Sequence, residues 1–238
     1  MQKKQSHYAN RYIIYDSAVV GEINEHIFNP ESHQEKGSLM GQALGRGTTY
    51  FIDVNGTQCV LRHYCRGGMV AKLLRDQYIW AGIQSTRAWR EWDLLEHMLK
   101  MGLPAPAPVA AQVVRKGFYY CADLITRRIE DTQVLSAILQ LSSIPEEIWQ
   151  KIGATIKRFH SAGIYHADLN AQNILINSDN QVFLIDFDKG CLRNPHTSWQ
   201  HQNLKRLLRS LKKSQQIFTA FHFSEQDWQA LMDGYQNS

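Results

Sequence analysis

The sequence predicts an α+β fold with strands first and helices last: an antiparallel β-sheet small lobe, then a reduced, mostly helical large lobe. Three observations predict it. Residues 49–54 and 57–64 are strand-like runs on either side of Asn55-Gly56, a strong two-residue hairpin signal. Apolar residues recur at helical spacing over much of the C-terminal half. Between these regions, a segment carrying His166, Asp168 and Asn173 is followed by Leu184-Ile-Asp-Phe-Asp188, which reads as a hairpin with polar ends. The expected organisation is a single domain, with residues 1–122 as the small lobe and 123–238 as hinge and helical lobe.

Residues 12–15 and 18–20 read as short strands, and Asn29-Pro30 breaks whatever precedes it. No role is read for residues 1–40. Gly41-Gln-Ala-Leu-Gly45-Arg-Gly47 then leads into the hairpin around Asn55-Gly56. Without Cβ atoms, Gly41, Gly45 and Gly47 would let the backbone fold closely over phosphate oxygens, so all three are candidate nucleotide-binding positions. A helix is expected over 86–101, capped by Thr86, ended by Gly102 and blocked by Pro104, with Trp92, Leu95, Met98 and Leu99 as its apolar stripe. Residues 102–109 form a stiff connector into a hairpin over 112–120, and 121–125 read as the last small-lobe strand, running into a hinge. A helix is expected over 132–141. Ser143-Ile-Pro-Glu146 reads as a capping box opening a helix that buries Trp149, Ile152, Ile156 and Phe159 and ends at Gly163. Leu204, Leu207, Leu208 and Leu211 stripe a later helix opposite Lys205, Arg206, Arg209, Lys212 and Lys213. Ser224 caps a last helix with Trp228, Leu231, Met232 and Tyr235 inward.

Composition narrows the function classes. Hydrophobic content of 44% with 11% aromatics supports a packed core. No apolar run approaches the ~20 residues that span a bilayer, and the N-terminus leads into no apolar signal region. Four cysteines without a CxxC pair suit a reducing cytoplasm. His63 and Cys65 have no second ligand pair at zinc spacing, so zinc is not expected. The net charge of +4 is mild. Its short basic face, and closing aromatics at core spacing, argue against nucleic acid.

Asp168, Asn173 and Asp186 carry the chemistry. Two carboxylates and an amide are hard oxygen donors of the kind that hold Mg²⁺ beside a hydroxyl, which phosphoryl transfer from ATP requires. Asp168 is the candidate catalytic base or hydroxyl-positioning group, and Asn173 and Asp186 are the candidate metal ligands. His166 is expected to brace the loop, and Asp188 either caps the next turn or adds to the metal site. In the sheet lobe, a resemblance to the protein-kinase-like superfamily, where a strand Lys after the glycine loop pairs with a Glu on the next helix, implies Arg62 as the phosphate-binding cation and Glu91 as its partner. Lys72 is the alternative cation.

These segments resemble the catalytic and metal-binding segments of the protein-kinase-like superfamily. Ala167 stands where protein kinases usually carry Arg, Asp188 where they carry Gly, and Arg62 where they carry Lys. The chain after Asp188 is short for docking a polypeptide, so a small molecule or exposed lipid headgroup is the expected acceptor. Leu61-Arg-His-Tyr-Cys-Arg-Gly-Gly68, Gly102-Leu-Pro-Ala-Pro, His166-Ala-Asp-Leu-Asn-Ala-Gln-Asn-Ile-Leu and Trp199-Gln-His-Gln-Asn-Leu-Lys-Arg-Leu-Leu-Arg-Ser-Leu211 together resemble the lipopolysaccharide kinase family of Gram-negative bacteria. The resemblance implies a protein-kinase-like two-lobed fold. It also implies ATP- and Mg²⁺-dependent phosphorylation of a hydroxyl, the 4-OH, of 3-deoxy-D-manno-octulosonic acid (Kdo) on a lipid A precursor. The enzyme would work as a peripheral protein at the cytoplasmic face of the inner membrane. Arg127, Arg128 and Arg193, with the basic helix face, could bind the anionic acceptor and membrane surface. A heptose kinase of the same pathway, an atypical protein kinase and a nucleotide-binding pseudokinase are the alternative readings.

Overall fold

The computed structural model describes residues 1–43, 49–64 and 77–238. They fall into two compact units, Met1–Glu96 with Ala107–Arg128, and His97–Pro106 with Ile129–Ser238.

The first unit is built on one antiparallel sheet. Its N-terminal hairpin, β1 (Lys3–Tyr8) and β2 (Arg11–Asp16), turns at Ala9, whose φ is +54°. The chain then makes α1 (Ser17–Val20), a 3₁₀ turn (Glu25–Phe28) and α2 (Pro30–Glu35). Next come β3 (Leu39–Ala43), β4 (Thr49–Val54), β5 (Thr57–His63), β6 (Tyr78–Ile79) and the helix α3 (Arg87–Lys100), whose residues from His97 on are counted with the second unit. The long hairpin β7 (Pro108–Lys116) and β8 (Tyr119–Arg127) completes the sheet. Strand order is β1-β2-β7-β8-β5-β4-β3, with β6 added beside β8. Asn55 and Gly56 both take positive φ, as the two-residue hairpin requires.

Alternation along the strands gives the sheet two faces. Ile13, Tyr15, Ile52, Val54, Cys59, Leu61 and Ile125 pack on one of them with Val20 of α1 and Phe28 of the 3₁₀ turn. That is the role of residues 1–40: two strands and a helical cover for the sheet. Residues 18–20 are helical and not the expected strand. The Asp16 carboxylate accepts from the Ala18 N–H at 3.1 Å, and this cap outweighs the strand propensity of Val19 and Val20. Asn29-Pro30 starts a helix rather than only ending one, since Asn29 caps α2 and Pro30 is its first residue. α3 ends as expected at Gly102 (φ +64°), with Leu103 N–H returning to Met98 O. Trp92, Leu95 and Met98 are buried, but Leu99 is 42% exposed and lies off the stripe.

The second unit contains β9 (Thr132–Val134), α4 (Leu135–Leu141), α5 (Glu146–Ser161), β10 (Ile164–Tyr165), β11 (Ile174–Asn177), β12 (Val182–Leu184), β13 (Cys191–Leu192), α6 (Thr197–Ile217) and α7 (Glu225–Gln236). Residues 132–134 were expected in a helix. They form a strand because they complete the ladder β12-β11-β9, with Val134 opposite Leu175. The Ser143 capping box does not form: α5 starts from Pro145 with no side-chain cap. α5 nonetheless buries Trp149, Ile152, Ile156 and Phe159 as its spacing predicts, and Ser224 with Asp227 makes a full capping box on α7. α5 and α7 cross with no room between backbones: a Cβ on Gly153 would lie 1.9 Å from Leu231 O, and one on Gly234 would lie 2.1 Å from Gln150 O.

Candidate active site

In the second unit, a loop laced by its own side chains joins β10 to β11. The Nδ2 groups of Asn170 and Asn173 both donate to Asp168 O, each at 2.9 Å. His166 is buried, and its two ring nitrogens have defined roles. The Asp168 N–H can only donate, so Nδ1 accepts it at 3.1 Å. Ile185 O can only accept, so Nε2 carries the proton across 2.9 Å. The imidazole is therefore neutral and ties the loop to the end of the following hairpin. Burial lowers its pKa, outweighing the opposing pull of the Ile185 carbonyl and of Asp186 and Asp168. A second tie runs between backbones, Ile185 N–H to Asn173 O at 3.0 Å. Asp168 and Asn173, ahead of β11, and Asp186, just after β12, are thus tied together at one end of the β11–β12 hairpin.

Asp186 has φ +63°, a left-handed conformation that Asp tolerates better than most residues but that the surrounding structure must hold. Phe187 supplies the hold. It is buried, stacked on Phe159 of α5 at 5.6 Å and packed on His166 at 4.8 Å. Asp188 follows, half-buried, in a turn closed by Gly190 N–H to Phe187 O at 2.7 Å.

In the first unit, Arg62 of β5 forms an ion pair with Glu91 of α3. Glu91 is 3% exposed, and its other carboxylate oxygen accepts the Tyr64 hydroxyl at 2.7 Å. The pairing requires residues 62 and 64 on the face that meets α3, which the two-residue period of the strand provides. Burial, and then the neighbouring Glu91 charge, push the Tyr64 pKa well up, so the hydroxyl stays a donor. Tyr64 was not among the residues singled out in the sequence, although its spacing from Arg62 would have found it.

The other expected positions are spread out. Gly41 lies in β3 opposite Phe51, while Gly45, Gly47 and the alternative cation Lys72 lie outside the described residues. Arg127 ends β8 opposite Cys59, and Arg128 donates to Gln58 Oε1 at 3.1 Å and lies over the Phe51 ring. Arg193, in the other unit, stacks on the Tyr165 ring at 3.5 Å. Among the described residues no three His, Cys, Asp or Glu side chains cluster as a metal site. A Mg²⁺ ion commonly takes only one or two protein carboxylates and completes its shell with water and phosphate oxygens, so the donors of Asn173 and Asp186 fit it. Sequence reasoning also missed Arg206, whose Nη1 meets Asp168 Oδ1 at 2.8 Å, because it was grouped with its basic neighbours on the helix.

Residues 31–235 match the model of the lipopolysaccharide kinase (Kdo/WaaP) family. The chain belongs to that family. It is 40% identical over 225 residues to a protein of Vibrio parahaemolyticus, covering 94% of each chain, and 42% identical over 205 residues to one of Vibrio cholerae, covering 86% of this chain and 87% of the relative. A relative from Mannheimia succiniciproducens is 40% identical over 240 residues, covering 98% and 99%. Each of the three is named 3-deoxy-D-manno-octulosonic acid kinase. As a lipopolysaccharide kinase the chain is a phosphotransferase, and its family implies ATP as donor.

Proposed function

We propose that this lipopolysaccharide kinase transfers the γ-phosphoryl group of ATP to a hydroxyl, the 4-OH, of Kdo carried on a lipid A precursor. Identity of 40–42% over 86% or more of each chain to three proteins named 3-deoxy-D-manno-octulosonic acid kinase supports the substrate assignment. The cross-braced loop around Asp168 supports the chemistry. In this reading residues 1–122 form the small lobe and 123–238 the hinge and large lobe of a protein-kinase-like fold.

Asp168 would receive the acceptor hydroxyl and hold its proton at a carboxylate oxygen, so that most of the acceleration comes from positioning. Asn173 and Asp186 would hold Mg²⁺, which when bound neutralises charge developing on phosphate oxygens. Arg62, fixed by Glu91 and Tyr64, would contact the nucleotide phosphates, with Gly41, Gly45 and Gly47 in the covering loop. An arginine suits this task through its forked donors, so Lys in its place is not a neutral exchange. Arg127, Arg128 and Arg193 would meet acceptor carboxylate or phosphate groups. Among the described residues no helix is long and apolar enough to cross a membrane, and the proposed station is peripheral, on the cytoplasmic face of the inner membrane.

The test is incubation with ATP, Mg²⁺ and Kdo-bearing lipid A precursor, read by mass spectrometry. One phosphate should be added, and NMR of the product should place it at the 4-position. No added phosphate, or preference for a heptose-terminated acceptor, would refute the Kdo assignment.

A further inference from the structure

A positive charge beside Asp168 comes from outside its loop. Residues 164–176 contain no Lys or Arg. Instead Arg206 of α6 donates from Nη1 to Asp168 Oδ1 at 2.8 Å, with the two side chains 46% and 35% exposed. Two further contacts bracket this one. Asn203 Oδ1, on a buried side chain, accepts the His166 N–H at 3.3 Å, and Ser210 Oγ accepts the Ala171 N–H at 3.4 Å. Positions 203, 206 and 210 lie within one face, because each helical residue advances about 100°. Lys205, Arg209 and Lys212 lie on another. The register of α6 is therefore fixed against residues 166–171 on both sides of Arg206, while buried Leu204, Leu207 and Leu211 seat the helix in its unit.

We infer that Arg206 is a positioning residue of the phosphotransfer reaction: it sets the Asp168 carboxylate rotamer and supplies the cation that the loop lacks. The inference rests on the reading of Asp168 as the group that receives the acceptor hydroxyl. An ion pair this open to water contributes little to stability. Its consequence is geometric: a guanidinium on one oxygen fixes the rotamer of the aspartate and so the direction in which its carboxylate points.

The experiment measures Arg206→Ala, Arg206→Lys, Asp168→Asn and the double variant by steady-state kinetics on the Kdo acceptor, alongside Tm. Arg206→Ala should lower kcat on the order of 10²-fold, with KM for ATP within about two-fold and Tm unchanged. Methylguanidinium should restore part of the lost rate, and Arg206→Lys should retain part of it. The double variant should be no slower than Asp168→Asn, because Arg206 acts through Asp168. Wild-type kcat in Arg206→Ala, or losses that multiply in full in the double variant, would overturn the proposal. Full activity of Asp168→Asn would overturn the reading of Asp168 instead. A readout without turnover separates the two. Arginine-selective ¹⁵N NMR should show hindered rotation of the Arg206 guanidinium in wild type and its loss in Asp168→Asn. Unchanged rotation in that variant would by itself refute the pairing, whatever the acceptor.

Discussion

At His166 both ring nitrogens have one-way partners, so a single tautomer is compatible with the loop. Protonating Nδ1 would remove the acceptor from the Asp168 N–H, the residue on which the proposed chemistry turns. The folded pKa lies below the ordinary histidine value near 6.5. A depressed folded pKa means that the stabilising contribution is complete above about pH 6.5 and declines as pH falls, since the unfolded chain binds the proton more readily. Imidazole ¹⁵N shifts at pH 7.5 should report Nε2-H; an Nδ1-H tautomer would contradict the brace. His166→Ala empties the space of a buried ring and takes this partner from the Asp168 N–H and the Ile185 carbonyl, and should cost about 1–3 kcal/mol in denaturant melts. Asp168→Asn differs in kind. The side chain is partly exposed, so turnover should fall on the order of 10²-fold or more with Tm nearly unchanged.

The second unit depends on the α5–α7 crossing. Gly153 and Gly234 let each backbone approach the other, and neither added Cβ could be relieved by a flexible side chain, since the facing atoms are carbonyl oxygens. Gly153→Ala should therefore cost about 3 kcal/mol or more, above the usual range for overpacking, and lower Tm by roughly 10 °C, read by calorimetry. A stable Gly153→Ala protein would mean that the helices can part. The same crossing carries a pH response. His160 Nδ1 hydrogen-bonds the Tyr235 hydroxyl at 2.8 Å, and burial lowers the His160 pKa to about 4. The His160 contribution to unfolding free energy should be flat above about pH 6.5 and fall toward pH 4, by on the order of 3 kcal/mol, and His160→Gln should reduce the measured slope to the part that His166 leaves. Periodicity made these helices legible, from the α5 stripe to the Ser224 cap. The crossing was not legible, because a glycine inside a helical pattern reads as a weakness until its neighbour is known. Residues 132–134 and 18–20 were misassigned for a related reason: the ladder with β11 and the Asp16 cap outweighed local propensity. The site divides in the same way. Asp168, Asn173 and Asp186 stand close in sequence, and their order announces them. Tyr64 and Arg206 meet partners 27 and 38 positions away, and only the folded chain pairs them.

Over the whole molecule, a net charge of +4 matters through where it is placed. The basic run of α6 lies on one exposed side of the helix, and two of its cations have acidic neighbours. All five are exposed; Arg206 meets Asp168 and Lys212 lies 3.7 Å from Glu225, while Lys205, Arg209 and Lys213 are the exposed set with no ion pair among the described residues. If the enzyme works on a lipid-linked acceptor, the exposed set is the part that can meet anionic headgroups, each cation contributing about 1 kcal/mol near such a surface. Sedimentation with vesicles of phosphatidylethanolamine and phosphatidylglycerol should therefore carry the protein down at low salt. Raising salt from about 0.05 to about 0.5 M should release it, because the screening length then shortens severalfold. Lys205→Glu with Arg209→Glu should weaken partitioning by at least about tenfold. Turnover on an acceptor dispersed in detergent should stay near wild type, since neither residue touches the Asp168 loop. Equal binding to vesicles without phosphatidylglycerol would show that α6 is not the contact, and a matching loss of turnover in detergent would place these cations at the acceptor instead of the membrane.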